Sequence, residues 1–449
     1  MTTQQATTKK KAAPAKKVAR PAKKITTLPT DRLGNVMAWL TCLLPPMFFL
    51  SHAVADICCS VIALLFLVES YWRRDWQWCQ QLWVKVGMGI WAYMVLRSFG
   101  AYDVCYALSI SLPFIRFIVF AVALQKRVLC VPLFSERVFK YLTISTIIAL
   151  LETLSQYAFG HGVISLLLDR PRFVSGRMSG PMSEARIGIM LTYVGFIMLV
   201  PYITRAMVYG KDHKPYWDTP RALLATLLSL LFVTTIFVSG ERMAFILTSM
   251  GYGLLSLSIW RTVGKWLALV GLLKTLSVVG VFAVAGRHMV ERQLISTWET
   301  LSHFFESSYG QLWLTGIDMG LKHPIFGIGP KQFSHFCPDY MRINPTEWCN
   351  LHAHNIYIEW FSELGLVGLV LFIFLLWRTI VWFQLKKLPE LISNPLWLGL
   401  MITLLLRLFP LTANTSFFKN WAAVPLWFVI GWLFAISDQL PGKKVRGKR

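Results

Sequence analysis

The sequence predicts an all-α polytopic membrane protein, and three observations carry that reading. Of 449 residues, 55% are hydrophobic, with a mean hydropathy of +0.53, more apolar side chain than a soluble domain can bury. The apolar residues fall in long continuous runs, such as 61–69, 222–238 and 366–383, separated by short polar punctuation. The basic residues collect at the two ends and in alternate connections. A helix needs about 20 mostly apolar residues to cross the hydrocarbon core. Only helices and closed barrels satisfy every backbone polar group in lipid. The runs are continuous and do not alternate, which selects helices over barrel strands.

Taken in order, residues 1–34 form a basic, Ala/Lys/Pro-rich tail that lacks the apolar residues to pack and reads as disordered. No short apolar signal-peptide region is evident in it. About twelve spans follow by the length rule. Spans 1–9 fall within 35–286, near 35–51, 53–71, 82–98, 104–124, 138–159, 184–204, 221–239, 243–260 and 266–286. Spans 10–12 fall within 356–437, near 356–383, 394–412 and 421–437, and a second basic tail closes the chain at 438–449. Pro45 and Pro46 are expected to break the first span.

An even number of spans returns both ends to one side. Arg73/Arg74, Lys126/Arg127/Arg137, Lys211/Lys214, Arg261/Lys265 and Lys386/Lys387 all fall on that same side, which the positive-inside rule makes cytoplasmic. Residues 1–32, at +8, and the last nine residues, at +5, carry thirteen of the 23 net positive charges. Basic tails beside membrane helices are drawn to anionic lipid. No aromatic residues interleave with the charge, so nucleic acid is not the expected partner.

Two exported connections are long. The first, 160–184, is unusually basic, with Arg170, Arg172 and Arg177, and Arg186 just beyond. The second, 287–355 between spans 9 and 10, is the only segment of soluble-domain size. It reads as helical over 287–305 and 309–321, then turn-rich around Pro324, Gly327, Gly329 and Pro330. Six of the eight cysteines lie in or beside spans, where cysteine serves as a small apolar residue. Cys337 and Cys349 lie in the large exported loop, where an oxidising compartment favours a disulfide; two unpaired thiols are the alternative.

The chemistry concentrates at Cys349-Asn-Leu-His-Ala-His-Asn355, where the loop re-enters the bilayer as span 10. His354 is the side chain best suited to exchange a proton near neutral pH, at an edge where a lipid-linked substrate presents its reactive head. The competing reading is a histidine that only anchors or caps the helix. Gly365 and Gly368 follow in a small-residue spacing that permits close helix approach.

His354-Asn355, nine residues, then Gly365-x-x-Gly368 resembles the signature of the O-antigen ligase family. Ser239-Gly-Glu-Arg242, Gly286-Arg287 and Pro324-Ile-Phe-Gly-Ile-Gly329 look like further landmarks of that family, in the expected order. The resemblance covers roughly residues 165–385. It implies a GT-C-type membrane fold in the bacterial inner membrane, with 287–355 as a periplasmic catalytic loop. The implied reaction is glycosyl transfer from undecaprenyl diphosphate to a sugar hydroxyl of lipid A-core. In that reading His354 is the general base, and Asn355, Gly365 and Gly368 are structural. Arginines hold the diphosphate, ranked Arg242, Arg287, then Arg177 and Arg292. Guanidinium groups suit phosphate oxygens because they bind bidentately and stay charged. For Arg172, Arg186 and Arg292 a lipid-headgroup or surface role stands beside the catalytic one.

Other readings remain open at this stage. A polymerase of the same superfamily shares the arginine logic, and some relatives with this element attach sugars to protein. Arg116, Glu152, Lys274 and Arg407 within spans are costly in lipid and raise a transporter reading. Arg116 and Glu152 are expected to pair, and Arg407 to face the same cavity as the loop. No Asp-x-Asp motif, Gly-rich phosphate loop or Cys/His zinc spacing is present, so neither metal nor cofactor is expected.

Overall fold

The computed structural model describes residues 32–439 apart from 171–172, 175, 210–214, 260–270, 272–275, 277, 281–285, 344–348 and 414. The two basic tails, most of the span expected at 266–286, Arg172, Lys211, Lys214, Arg261, Lys265 and Lys274 lie outside the described residues.

The chain is a helical bundle, and its elements start where the sequence supplies caps. Helix α1 (Arg32–Leu50) continues through Pro45 and Pro46. The expected break does not occur: the helix runs on for four residues past Pro46, although each proline lacks the amide that would donate to the preceding turn. Ser51 caps α2 (His52–Arg73), accepting from the Val54 amide at 3.4 Å. Helix α3 (Leu82–Ser98) is followed by α4 (Val104–Val128), which Asp103 caps through the Tyr106 amide at 2.9 Å. Next come α5 (Pro132–Phe159), α6 (Ile187–Arg205), α7 (Thr219–Val238) and α8 (Arg242–Ser258). Three consecutive helical pieces over 287–302 form α9, followed by α10 (Ser308–Lys322) and α11 (Phe333–Ile343). Helices α12 (Ile356–Lys386), α13 (Pro395–Arg407) and α14 (Asn420–Asp438) complete the bundle.

Eight of these, α1, α2, α4–α7, α12 and α14, are long and apolar enough to cross a membrane. The protein is therefore an all-α polytopic membrane protein. Only two short antiparallel hairpins interrupt the helices among the described residues: β1–β2 (Phe173–Val174 with Arg177–Met178) and β3–β4 (Met207–Tyr209 with Pro215–Trp217).

Helix α13 stops at Arg407, short of the expected 412. Pro410 has no amide to continue it. The Leu408 and Pro410 carbonyls instead accept from Tyr357 Oη and Asn355 Nδ2, each at 2.7 Å. Helices α6 and α14 are 89% and 94% buried, against 44–61% for the other six spans, so these two form the centre of the bundle. Helix α6 packs on α13, α7, α8 and α5, and α14 packs on α4, α13 and α2.

The connections segregate to two faces. On one, Lys126 pairs with Asp438 at 2.6 Å, Arg127 with Glu69 at 2.6 Å, and Lys387 donates to the Ser437 carbonyl at 2.9 Å. On the other, Arg170 donates to the Leu50 carbonyl at 2.7 Å and Arg97 to the Phe326 and Gly327 carbonyls at 2.9 and 2.6 Å. The charges within spans find partners other than those expected. Arg116 pairs with Asp56 of α2 at 2.8 Å, not with Glu152. Glu152 accepts from the Ser165 amide at 2.7 Å, at the foot of the connection that follows α5. Each charge is satisfied by the nearest group at its own depth, which is cheaper than reaching along a span.

Candidate active site

The two glycine motifs form one interlock. Helix α12 is broken at Gly365 (φ 67°, ψ −169°), and the segment 324–329 docks into the break. Leu366 N donates to the Pro324 carbonyl at 2.8 Å, Ile328 N to Ser362 at 3.0 Å and Gly329 N to Glu363 at 2.8 Å. A Cβ at Gly365 would stand 2.2 Å from the Ile325 oxygen, and one at Gly327 2.4 Å from the Glu363 carbonyl carbon. Gly365 therefore serves a backbone break and a loop contact, not the helix–helix approach its spacing implies. The interlock is latched from below: Glu363 accepts from the Lys331 amide at 2.6 Å, and Lys331 Nζ reaches Ser416 Oγ at 2.9 Å. Phe417 N donates to Glu359 at 2.7 Å. These bonds tie the 324–333 segment, α12 and the 408–419 connection together.

His354 sits immediately before this helix. Asn355 caps α12, accepting from the Tyr357 and Ile358 amides at 2.9 and 3.2 Å, while its Nδ2 holds Pro410. That double hold keeps His354 at φ 56°, a left-handed conformation unusual for a residue with a Cβ. Its ring lies 4.1 Å from that of His352 and edge-on to Tyr309 at 5.4 Å. Cys337 and Cys349 are bonded, with Cα atoms 5.7 Å apart, so the residues leading to His352 are tied back to α11.

A cavity of about 180 Å³ opens beside His354. Arg177, Arg186 and Arg242 line it together with His352, His354 and Tyr309. Ile189, Met243, Ile246, Leu301 and Phe304 supply an apolar wall. The sequence places the polar residues in three separate connections, and close backbone contact brings two of these together. Met178 N donates to the Ser239 carbonyl at 2.9 Å. Gly240 (φ 73°) faces Gly176, whose oxygen would lie 2.0 Å from a Cβ at 240. Glycine is required there on both counts.

The arginines differ in what holds them. Arg242 Nη1 donates to the Ser296 carbonyl at 2.8 Å and to Thr300 Oγ1 at 2.7 Å. Arg177 Nη2 reaches Tyr309 Oη at 3.4 Å. Arg186 pairs with Glu184 at 2.9 Å and lies over Trp421 at 5.3 Å. Arg292 is not a lining residue; its Nε donates to the Gly240 carbonyl at 2.9 Å, pinning the turn that presents Arg242. Arg287 is apart from the cavity, its side chain 86% exposed and paired with Glu291 at 3.1 Å. Arg407 also stays outside: it stacks over Tyr193 at 4.0 Å and donates to the Ala422 carbonyl.

The concentration of charge shapes proton affinities. Burial, then Arg186, Arg177, Lys419 and Lys331, push His354 from an ordinary 6.5 down to about 4, so it is neutral at neutral pH. Burial pushes the Glu241 carboxyl up to about 7, against the pull of Arg177 and of two backbone amides. Those amides are Gly188 N at 2.6 Å and Ile189 N at 3.3 Å, so Glu241 caps the first turn of α6. Burial also lowers Arg292, with Arg177 and Arg242 acting the same way. Among the described residues no group of three or more His, Cys, Asp or Glu is placed to hold a metal ion.

Sequence reasoning assigned no role to Glu241 or Tyr309 and left Arg186 between the surface and the site. A usable signal existed for Arg186. It is a cation on the exported side, where the positive-inside rule disfavours one.

The fold and cavity define a class: a polytopic helical membrane protein whose connections on one face enclose a basic pocket with a neutral histidine. Residues 227–373 match the family model described as O-Antigen ligase. The matched region runs from α7 into α12 and so contains Arg242, Arg292 and His354 but neither Arg177 nor Arg186. No curated protein matches the chain.

Proposed function

We propose that the chain is a glycosyltransferase that ligates a polysaccharide from undecaprenyl diphosphate onto a sugar hydroxyl of lipid A-core. It would act at the periplasmic face of the bacterial inner membrane, as a GT-C-type enzyme of about twelve spans with both ends cytoplasmic. The observation that carries this reading is the convergence of Arg177, Arg186 and Arg242 with His354 on one cavity.

In the reaction the acceptor oxygen attacks the anomeric carbon of the donor sugar. The bond from that carbon to the diphosphate oxygen breaks, and the acceptor proton passes to the His354 imidazole. The departing diphosphate gains negative charge, which the guanidinium groups take up. They supply the electrostatic stabilisation that a metal ion supplies in other transferases. Proton removal by a positioned base typically contributes 10²–10⁴-fold. Met243, Ile246, Leu301 and Phe304 give the polyprenyl chain an apolar wall beside the basic one.

The test is complementation of a ligase-deleted strain of the source bacterium, read as a lipopolysaccharide ladder on a gel. Wild type should restore the long ladder, and His354→Ala, present at equal level in the membrane, should not. Core bands alone, with undecaprenyl-linked polymer accumulating, would replace ligation by polymerisation. Substrate flux that survives loss of His354 would point to a transporter.

A further inference from the structure

The segment expected to be a soluble catalytic loop begins with a helix that carries three distinct faces. Its inner face grips the turn between α7 and α8. Gln293 Nε2 donates to the Phe237 carbonyl at 2.7 Å, Arg292 to Gly240, and Ser296 and Thr300 accept from Arg242. Phe237 belongs to the last turn of α7, so α9 lies level with the end of that span and not above it.

A second face is polar and open, with His288, Glu299, Ser302 and His303 exposed. The third is apolar and equally open. Leu294, Trp298 and Leu301 recur at i, i+4 and i+7 and share one side of the helix. Trp298 is 73% exposed, Leu301 56%, and Phe305 on the following turn 61%. An apolar stripe of this size facing water is unusual, and tryptophan concentrates where membrane meets water.

We infer that residues 287–302 form a membrane-seated amphipathic helix whose Leu294, Trp298 and Leu301 stripe, continued by Phe305 on the next turn, lies among the acyl chains of the leaflet bordering the cavity. The occupant of the stripe is bilayer phospholipid. Two features select it over another protein. The helix is held at the level of the end of α7 by side-chain bonds to the Phe237 and Gly240 carbonyls. Its stripe also runs, through Leu301, into the wall formed by Met243 and Ile246 of α8, the helix that follows the span α7. An interfacial helix with one polar and one apolar flank has this arrangement. The seat also has a use: the same helix holds Arg242 through Ser296 and Thr300, so lipid on one side steadies a guanidinium on the other.

The experiment places an environment-sensitive fluorescent amino acid at 298, and separately at 299, in the full chain reconstituted into nanodiscs. The lipids are phosphatidylethanolamine and phosphatidylglycerol, with or without bromine on the acyl chains. The 298 probe should lose most of its emission in brominated lipid and resist aqueous iodide, and the 299 probe should show the reverse. Iodide quenching at 298 without a response to bromine would overturn the inference, and so would identical behaviour at both positions. A third probe at 305 stands in if the 298 variant fails to fold. No sugar substrate enters these readouts, so the result is separate from which acceptor the chain serves.

Discussion

Replacing Gly365 by alanine attacks the point where the two glycine motifs meet. The added Cβ would stand 2.2 Å from the Ile325 oxygen and 2.5 Å from the Phe326 nitrogen, both backbone atoms that no rotamer change can move. The residue would also have to hold φ 67° and ψ −169°, a region that is essentially glycine's own. A left-handed φ costs a residue with a Cβ ~1–2 kcal/mol. To reach ordinary contact the 324–329 segment must retreat from α12 by more than an ångström. That retreat breaks two or three of the bonds from Leu366, Val367, Ile328 and Gly329, each worth about 1 kcal/mol net. The expected loss is therefore about 3–5 kcal/mol. The assay is the temperature at which the detergent-solubilised protein loses its monodisperse elution peak, run beside Gly253→Ala. Gly253 lies within α8 with nothing within 4 Å of its Cβ position, so its replacement should change stability by no more than about 1 kcal/mol. Equal melting of Gly365→Ala and Gly253→Ala, with the lipopolysaccharide ladder intact in both, would refute the interlock.

Two further expectations concern the charges. Arg242→Ala and Arg177→Ala should each lower ladder formation 10²–10³-fold if they stabilise a departing anion, whereas Arg287→Ala should leave it near wild type because that side chain is exposed and paired with Glu291. Strong loss in Arg287→Ala would require a rearrangement that brings it to the cavity. His354, held down at about 4, should give kcat/KM an acid limb well below 6.5, and the limb of kcat should lie higher. A bound diphosphate offsets the arginine field that depresses the imidazole. For stability the sign is fixed. The unfolded chain takes up a proton near 6.5 and the folded chain only near 4, so stability present above 6.5 falls as pH drops through that window, and His354→Gln should flatten the fall.

The spans were legible in the sequence because lipid imposes one rule on every backbone group, and hydropathy alone reports compliance. Helices at 52–73, 82–98 and 356–386 lie within a few residues of their expected bounds. What hydropathy cannot report is which charges meet. Arg116 and Glu152 sit in adjacent spans and still take other partners, because pairing depends on depth and helix rotation, which the sequence does not display. The site was half legible. His354, Arg177 and Arg242 announced themselves as cations or a base on the exported side, and the cavity gathers them. Arg292 and Arg287 carried the same signal, but one pins a turn and the other faces outward. Glu241 escaped because its value lies in capping the first turn of α6, a contact 53 residues away in sequence.

The burial of α14 bears on how the molecule is made. The most enclosed span of the bundle leaves the ribosome after the other seven spans of the described residues, and Trp427 and Trp432 on it are among the largest fully buried side chains. Helices α2, α4 and α13 must therefore wait in the membrane with their inner faces unfilled until residues 420–438 arrive. Insertion is thus ordered by the chain while closure of the bundle waits for α14, and a nascent protein stalled before Asn420 would offer quality control an open, tryptophan-sized vacancy at its centre.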